Sequence, residues 1–372
     1  MRMNEEKNGN IKTKPLRIAQ IAPLYESLPP KLYGGTERIV YYLTEELVKQ
    51  GHEITLFASG DSITNAKLIA PVNEGLRLKK DCIDPLAYHI IEMQEVIKHA
   101  KEFDILHFHT DYLHFPFSNL KVPSITTLHG RLDIPELQDI YKVFPYQKLI
   151  SISNNQRRPL PQAKFVKTVY HGLPENLHSL GNGTGDYLAF LGRISPEKGI
   201  ERAIRIALAT NIKLKIAAKI DKADLAYYEN DVKYLLNHPL IEYIGEINEQ
   251  QKTEFLGNAK ALIFPINWPE PFGLVMIEAM ACGTPVIAFN NGSVPEILED
   301  GVTGFIVDTM TQAIFAVSQL KYLSRIKIRQ TFEKRFTAKR MAEDYINVYY
   351  SLINVSLKRV YRNGNIKLNE QL

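Results

Sequence analysis

The chain has 372 residues, which exceeds one typical domain and predicts two domains of roughly 150–200 residues each. Hydrophobic residues make up 45% and charged residues 23%, which is ordinary for soluble globular proteins. The net charge of +4 is a mild excess. It is compatible with an acidic ligand or an anionic membrane surface but requires neither, and we expect no nucleic-acid partner.

Cysteine usage and the polar start of the sequence predict a cytoplasmic protein. Cys82 and Cys282 lie far apart without CxxC spacing, which indicates neither a disulfide framework nor a zinc site. The first 14 residues are polar and are expected to form a flexible tail rather than a signal peptide. The basic residues within 321–340, and the pair Arg157 and Arg158, are typical of a solvated face. They leave peripheral contact with the inner face of a membrane open, and the oligomeric state is open as well.

Strands and helices alternate from about residue 16 to residue 330, the pattern of α/β layers built on parallel sheets. The first predicted helix covers residues 36–50, because Ile39, Leu43 and Leu47 recur at helical spacing and Gly51 suits a left-handed cap. A second helix is predicted at 85–101. Strands of the amino-terminal half are predicted at 16–22, 54–58, 104–108, 124–128, 149–153 and 166–170.

The stretch 171–187 is rich in Gly, Pro and Asn, as expected of a linker, and the alternation restarts after it. An amphipathic helix is predicted at about 339–357, followed by a polar end. Further strands are predicted at 187–191, 214–218, 241–244, 261–264 and 285–289. The predicted organisation is a tail (1–14), an amino-terminal domain (15–172), a linker (173–186), a carboxyl-terminal domain (187–338) and a terminal helix with a polar tail (339–372).

Ligands of doubly wound sheets bind beyond the carboxyl ends of the strands, and a glycine pair lies at the first such position. Gly34 and Gly35 open the first helix, where a bare backbone and helix amides favour an anion. A glycine pair in a loop is also commonly a simple turn. The pattern is not GxGxxG, which counts against a dinucleotide site.

A second candidate position is the segment LGRISPEKG, at a strand end and a helix start. Arg193 leaves the strand and Lys198 precedes the helix, so two cations beside helix amides predict a clamp for a diphosphate. The alternative is that both are solvated surface charges.

Two carboxylates mark a third position, within the segment PINWPEPFGLVMIEAMACG. Glu270 is bracketed by prolines in a rigid loop, and Glu278 belongs to an otherwise apolar helix. A buried carboxylate is costly without a partner, so Glu278 requires one. That partner is either a lysine or arginine of the core, or the vicinal hydroxyls of a ribose.

Histidines mark the fourth position. His107 and His109 could bind a metal, but alternate residues of a strand share a face without any ligand. No carboxylate or cysteine set accompanies them, so no metal site is predicted. His129 ends a strand just before Gly130, where residues of a cleft belong.

These residues resemble those of the retaining GT-B glycosyltransferases, specifically glycosyltransferase family 4, over roughly residues 16–350. The most specific element is Glu270 followed eight positions later by Glu278, inside PEPFGLVMIEAMACGTPVIA. The order of GGTERIVYYLTEELVKQGHEITLFASGDS, TLHG, SISNNQ and LGRISPEKG supports it. The WPEPFG form and the GDS turn are similar to the subgroup with antibiotic-biosynthesis and pterin glycosyltransferases.

The resemblance implies two Rossmann-like domains facing across a cleft, with the terminal helix crossing back to the first domain. It also implies roles for individual residues. Glu278 would hold the donor ribose, Glu270 would meet the transferred sugar together with the amides of Phe272, Gly273 and Leu274, and Arg193 and Lys198 would neutralise the diphosphate. Gly34 and Gly35 would lie against the phosphates or the acceptor, and His129 near the anomeric carbon. No cofactor or metal is expected, since the nucleotide sugar is a substrate.

The resemblance therefore predicts a retaining, metal-independent hexosyltransferase, with UDP-glucose as the first candidate donor and an unidentified acceptor. One departure is His171-Gly172, where the family often has Asn-Gly. Alternatives from other classes are a nucleotide-sugar epimerase of the same fold and a non-catalytic nucleotide-sugar sensor. A nicotinamide dehydrogenase is disfavoured by the missing GxGxxG.

Overall fold

The computed structural model describes residues 14–31, 34–77, 79, 81–117 and 120–368, with side chains as far as residue 355. Residues 1–13 of the predicted polar tail, and Tyr33 before the glycine pair, lie outside the described residues.

Seven parallel strands form the amino-terminal sheet, in the order β3-β2-β1-β4-β5-β6-β7. Three helices accompany it: α1 (Gly35–Lys49), α2 (Pro85–His99) and α3 (Pro135–Val143). The strands are β1 (Arg17–Ile21), β2 (Glu53–Phe57), β3 (Lys67–Ile69), β4 (Ile105–Phe108), β5 (Ser124–Thr127), β6 (Leu149–Ser151) and β7 (Phe165–Thr168). The central strands are buried on both faces, as expected of a parallel sheet covered by helices.

Six parallel strands form the carboxyl-terminal sheet, in the order β10-β9-β8-β11-β12-β13. These strands are β8 (Tyr187–Arg193), β9 (Lys213–Lys219), β10 (Ile241–Gly245), β11 (Ala261–Phe264), β12 (Val286–Phe289) and β13 (Gly304–Val307). The helices are α4 (Ile200–Thr210), α5 (Leu225–Tyr227), α6 (Glu249–Asn258), α7 (Leu274–Ala281), α8 (Val294–Ile297), α9 (Met310–Gln319), α10 (Arg325–Arg335) and α11 (Ala338–Leu368).

Both sheets reverse their strand order beside their first strand, between β1 and β4 and between β8 and β11. Such a reversal leaves a crevice at the carboxyl ends of the strands, because the connecting helices depart to opposite faces of the sheet. The architecture is the predicted pair of Rossmann-like, doubly wound α/β layers.

Every predicted strand lies within two residues of an observed one, but several elements were not predicted, among them β3, β13, α3, α8, α9 and α10. β3 and β13 are short and partly exposed, so they lack a long apolar run, and α3 covers nine residues that begin at Pro135. The predicted end of the last helix was wrong. α11 continues through the polar residues to Leu368, because polar residues and the isolated Gly364 do not by themselves end a helix.

Helix α11 is hydrogen-bonded to the amino-terminal sheet through two buried tyrosines. Gln20 donates its amide to the hydroxyl of Tyr349 at 3.2 Å, and this hydroxyl lies 2.6 Å from Nδ1 of His107. The hydroxyl of Tyr345 lies 2.9 Å from that of Thr127, which is 2.7 Å from Nε2 of His107. The last helix therefore completes the polar core of the first sheet.

No helix among the residues that the structure describes is long and apolar enough to cross a lipid bilayer.

Removing the hydroxyl of Tyr349 should destabilise the protein. Tyr349→Phe leaves the buried amide nitrogen of Gln20 and Nδ1 of His107 without this partner, which costs about 1–3 kcal/mol. Denaturant unfolding measures this free energy of unfolding. Tyr322→Phe is the matched control, because the Tyr322 side chain is exposed and its loss should stay within about 0.5 kcal/mol. Equal midpoints for the two variants would contradict the assigned role.

Candidate functional site

A cleft of about 730 Å³ lies at the carboxyl ends of both sets of strands and is lined by residues from each half of the chain. The structure brings all the predicted site residues to this one cleft. They are Gly34, Gly35, His129, Arg193, Lys198, Glu270, Phe272, Gly273, Leu274 and Glu278.

The two halves approach each other closely at the glycine pair. A Cβ atom on Gly35, the first residue of α1, would lie 3.5 Å from Cδ1 of Leu274, the first residue of α7. A Cβ atom on Gly34 would lie 2.8 Å from that of Pro30 and would force a rearrangement. The glycine pair therefore allows the backbone of one half to reach the donor-side helix of the other.

Arg193, at the end of β8, is surrounded by carboxylates. It pairs with Glu197, its Nε lies 3.2 Å from Oδ2 of Asp224, and its NH1 lies 3.6 Å from Oδ2 of Asp221. Lys219 adds a second cation, 2.9 Å from Asp221. Neither aspartate was identified from the sequence. Arg193, which was predicted to meet a diphosphate, therefore belongs to a network of opposite charges.

Lys198 is held by Glu270. Its Nζ lies 2.6 Å from Oε2 of Glu270, and the indole of Trp268 donates to the same oxygen at 2.8 Å. The ammonium also lies 5.3 Å from the centre of the Trp268 ring, a cation–π distance. Trp268 thus orients both partners of the ion pair, a role that the WPEPFG segment alone did not indicate.

The start of α7 directs free backbone amides toward the cleft. Gly273 precedes the helix with φ of +79°, a left-handed conformation that favours glycine. A Cβ atom there would lie 2.7 Å from Cε of Met276. Because the first amides of a helix have no intrahelical acceptor, Leu274 and its neighbours can donate to a ligand.

Glu278 has a protein partner. Its side chain is 4% exposed, and its Oε1 lies 2.7 Å from Nζ of Lys252 on α6. Lys252 also lies 3.3 Å from Glu249, which pairs with Arg38 of α1 in the other half. His178 Nε2 lies 3.3 Å from the second oxygen of Glu249. A continuous chain of charges therefore connects the two halves across the cleft.

Burial alone would raise the pKa of Glu249. The contact with His178 and the charges of Lys252 and Arg38 outweigh that effect and hold the pKa of Glu249 below its usual range. Glu249 is therefore a carboxylate at neutral pH, and its charge is shared among three basic groups.

His178, Glu249 and Glu278 also place one donor atom each within 4.8 Å of one another, a spacing that a metal ion could use. The ammonium of Lys252 lies between the two carboxylates, and Arg38 pairs with Glu249. A cation would have to displace these groups, so the set does not fit a metal as it stands.

The predicted absence of a metal at His107 and His109 has a geometric reason. Each of the four ring nitrogens is hydrogen-bonded, to Tyr349 and Thr127 for His107, and to His129 and Gln20 for His109. No ring nitrogen of this pair is left to bind a metal.

The same bonds assign the tautomer of His129. The oxygen of Gln20 accepts from Nε2 of His109 at 2.8 Å, so Nδ1 of His109 carries the lone pair. That nitrogen accepts from Nε2 of His129 at 2.9 Å. Neutral His129 therefore carries an unprotonated Nδ1, which is buried and has no hydrogen-bond partner among the residues that the structure describes. Burial lowers the pKa of His129 to about 3, so the ring is neutral at physiological pH.

His171 stacks on His129, with ring centres 5.3 Å apart and planes 15° from parallel, and it also lines the cleft. Phe272 packs against the other side of His171 at 4.7 Å. No role was predicted for His171 from the sequence. Its departure from the common Asn-Gly was visible, but its position beside His129 depends on strands that are distant in sequence.

Known glycosyltransferases resemble this chain in sequence and in structure. Residues 33–179 match the family described as Glycosyltransferase Family 4, and residues 177–336 match Glycosyl transferases group 1. An uncharacterized glycosyltransferase of Methanocaldococcus jannaschii is 26% identical over 90% of this chain and 98% of its own. The N-acetyl-alpha-D-glucosaminyl L-malate synthase of Bacillus anthracis is 25% identical over 90% of this chain and 97% of its own.

Solved structures share the fold. Sucrose-phosphate synthase from Thermosynechococcus elongatus has a TM-score of 0.76 at 18% identity, covering 91% of this chain and 100% of that one. A glycosyltransferase involved in avilamycin A biosynthesis has a TM-score of 0.69 at 22% identity, covering 91% and 98%. Two facing Rossmann-like sheets with the site between them define the GT-B class of enzymes. The chain is a glycosyltransferase, since two glycosyltransferase family models together cover residues 33–336, and its amino-terminal half matches family 4.

The buried histidines predict a loss of stability in mild acid. Burial lowers the pKa values of six of them, His89, His107, His109, His114, His129 and His171, and those of His114 and His129 to about 3. An unfolded histidine titrates near 6.5, so the unfolded chain binds more protons between about pH 3 and 6.5. The stability is therefore complete above about pH 6.5 and is lost as the pH falls below it.

Urea unfolding between pH 7.5 and 5 tests this expectation. His114→Gln should reduce the slope of unfolding free energy against pH by up to about 1.4 kcal/mol per unit, the effect of one proton. His238→Gln, at an exposed histidine, is the control and should not change the slope. Buried Glu92, whose pKa burial raises well above its usual value, acts in the opposite direction in all three proteins. The same slope in wild type and His114→Gln would contradict the assignment.

Proposed function

We propose that this glycosyltransferase moves a hexose from a nucleotide diphosphate sugar to an acceptor hydroxyl, with retention of anomeric configuration and without a metal. The observation that carries the proposal is the pairing of two cleft carboxylates with two lysines. Glu270 pairs with Lys198 and Glu278 with Lys252, at 2.6 and 2.7 Å, on opposite sides of the α7 start. Carboxylates of this kind suit sugar hydroxyls, and the neighbouring cations suit a diphosphate.

On the donor side, Glu278 would accept hydrogen bonds from the two ribose hydroxyls while Lys252 remains paired with its side chain. Glu270 would accept hydrogen bonds from the hydroxyls of the transferred sugar. The backbone amides of Phe272, Gly273 and Leu274 would donate hydrogen bonds to them. The left-handed Gly273 supports this arrangement, because it turns the chain so that the helix start faces the cleft.

Arg193 and Lys198 would neutralise the diphosphate. When the anomeric bond breaks, negative charge accumulates on the leaving phosphate, so cations already in position lower the barrier. Both cations are engaged with carboxylates in the free protein. Donor binding would therefore exchange these partners for phosphate oxygens. The two cations would then neutralise the diphosphate, as a metal ion does in other transferases.

His129 lines the cleft, and His109 holds its ring through Nε2. The unprotonated Nδ1 is buried without a partner among the described residues. Donor binding would have to expose this nitrogen before it could accept a hydrogen bond from a donor-sugar hydroxyl. A neutral ring beside the anomeric carbon does not oppose the positive charge of an oxocarbenium-like state. The acceptor proton would pass to the leaving phosphate on the same face, which preserves the configuration.

For the donor, UDP-glucose is the first candidate. A solved structure with a TM-score of 0.70 is an Anabaena protein in complex with UDP-glucose, whereas the Bacillus anthracis relative is named N-acetyl-alpha-D-glucosaminyl L-malate synthase. Several donors therefore have to be compared. We further propose a cytoplasmic location, which agrees with the two unpaired cysteines.

Donor turnover in the presence of EDTA tests the proposal. Purified protein is incubated with UDP-glucose, UDP-galactose, UDP-N-acetylglucosamine or GDP-mannose, and released nucleotide is measured by mass spectrometry. One donor should be consumed, and the double variant Glu270→Ala, Glu278→Ala should lose at least about 100-fold of that rate, since one such contact is typically worth about 10²–10³. The control Glu229→Ala, Glu333→Ala removes two carboxylates outside the cleft and should behave as wild type.

Other outcomes would redirect the assignment. Conversion of a nucleotide sugar to its epimer would replace the transferase by an epimerase. Tight binding without turnover, even with cell extract as an acceptor source, would favour a sensor. Activity that appears only when a divalent metal replaces EDTA would contradict the metal-independent mechanism. A product whose anomeric proton coupling shows the opposite configuration to the donor would contradict retention.

A further inference from the structure

The amino-terminal side of the cleft is lined by two tyrosines that have no part in the proposed donor contacts. Tyr25 follows β1 and Tyr112 follows β4, and their side chains are 42% and 39% exposed within the lining of the cleft. Exposed aromatic rings inside a cleft are unusual for a purely structural role, because burying them elsewhere would be favourable. They present apolar faces to whatever occupies this side.

Tyr25 is supported from behind by a fixed ring. His89 of α2 lies 5.0 Å from it between ring centres. His89 is almost fully buried, accepts from the amide of Leu24 at 3.3 Å, and lies 2.9 Å from the carbonyl of Pro85. Two hydrogen bonds therefore hold the histidine, and the Tyr25 ring packs against it at a tilt of 46° while remaining 42% exposed at the cleft.

The backbone next to Tyr112 is in an uncommon conformation. Asp111 has φ of +50°, one of two non-glycine residues with positive φ among the described residues. Such conformations cost about 1–3 kcal/mol and cluster at ligand sites. Here the conformation brings the carboxylate of Asp111 and the ring of Tyr112 to the cleft together, so a hydrogen-bonding group accompanies the aromatic face.

The cations on this side are already neutralised. Arg77 lies 2.9 Å from Glu26, and Arg38 pairs with Glu249. An anionic acceptor would have to compete with these carboxylates. Apolar side chains are also few here, since Pro23, Leu113 and Ile152 are the aliphatic ones among the described residues of the amino-terminal half that line the cleft. The surface therefore matches neither a strongly anionic molecule nor a lipid chain.

We infer that the acceptor is an uncharged sugar, a glycoside whose ring packs on Tyr25 and Tyr112 and whose hydroxyls bond to Asp111. A pyranose has this chemistry, because its axial C–H groups give it an apolar face while hydroxyls surround its rim. The inference rests on the proposed function, since an acceptor is defined only for a transferase. It adds the class of molecule that receives the hexose and the residues that hold it.

Saturation-transfer NMR tests this inference without requiring turnover. The full-length protein is mixed with saturating UDP and with methyl α-D-glucopyranoside, methyl β-D-galactopyranoside, maltose or lactose. At least one glycoside should receive saturation through its ring C–H protons. Tyr25→Ala should weaken this binding about tenfold, and Tyr25→Phe should restore it to within about threefold, because the ring face is what matters. Tyr146→Ala, at a tyrosine 84% exposed and outside the cleft, is the matched control.

The failures of the two proposals are distinguishable. If no glycoside receives saturation, or if wild type and Tyr25→Ala bind the glycosides equally, the proposal of a sugar acceptor is overturned even when a donor turns over. Transfer of the hexose to L-malate, to inositol 3-phosphate or to a lipid in vesicles, but to no glycoside, would overturn it as well. Loss of donor turnover alone, with glycoside binding intact, would count against the transferase reaction and leave the sugar-binding surface standing.

Discussion

The ion pair between Glu278 and Lys252 is the interaction on which the architecture of the site depends. A carboxylate as buried as that of Glu278 is costly unless a cation neutralises it, so a glutamate at this point of α7 requires a cation such as lysine nearby. Lys252 comes from α6, whose start is fixed by a capping box between Asn248 and Gln251. The position of one helix therefore determines whether the donor-side carboxylate can exist.

The same constraint extends to the other half of the chain. Glu249 shares Lys252 and pairs with Arg38, which lies on α1 just after the glycine pair. Arg38 is itself almost fully buried, so its charge requires Glu249 as much as Glu249 requires it. The two Rossmann-like layers are thus joined by charges that terminate at the proposed donor site. A ligand that changes the partners of Glu278 changes the balance along this chain.

Much of this arrangement could be predicted from local sequence. Apolar runs and cap residues located the strands, and the Rossmann-like pattern placed their carboxyl ends together, so every predicted site residue lines one cleft. What could not be predicted are the long-range partners. Lys252, Asp221 and His171 occupy unremarkable local sequence, and only the packing of distant strands and helices brings them to the site. The sequence alone could not decide whether Glu278 pairs with a basic residue or with a ribose. In the free protein it pairs with Lys252.

The most direct test of this charge-coupled site is a double-mutant cycle on UDP affinity, measured by isothermal titration calorimetry with Glu278→Gln, Lys252→Met and the combined variant. If Lys252 holds the carboxylate that binds the ribose, the two losses should be strongly non-additive, with a coupling energy of at least about 1 kcal/mol. Losses that add within about 0.3–0.5 kcal/mol, or single variants that bind UDP as wild type does, would contradict the account.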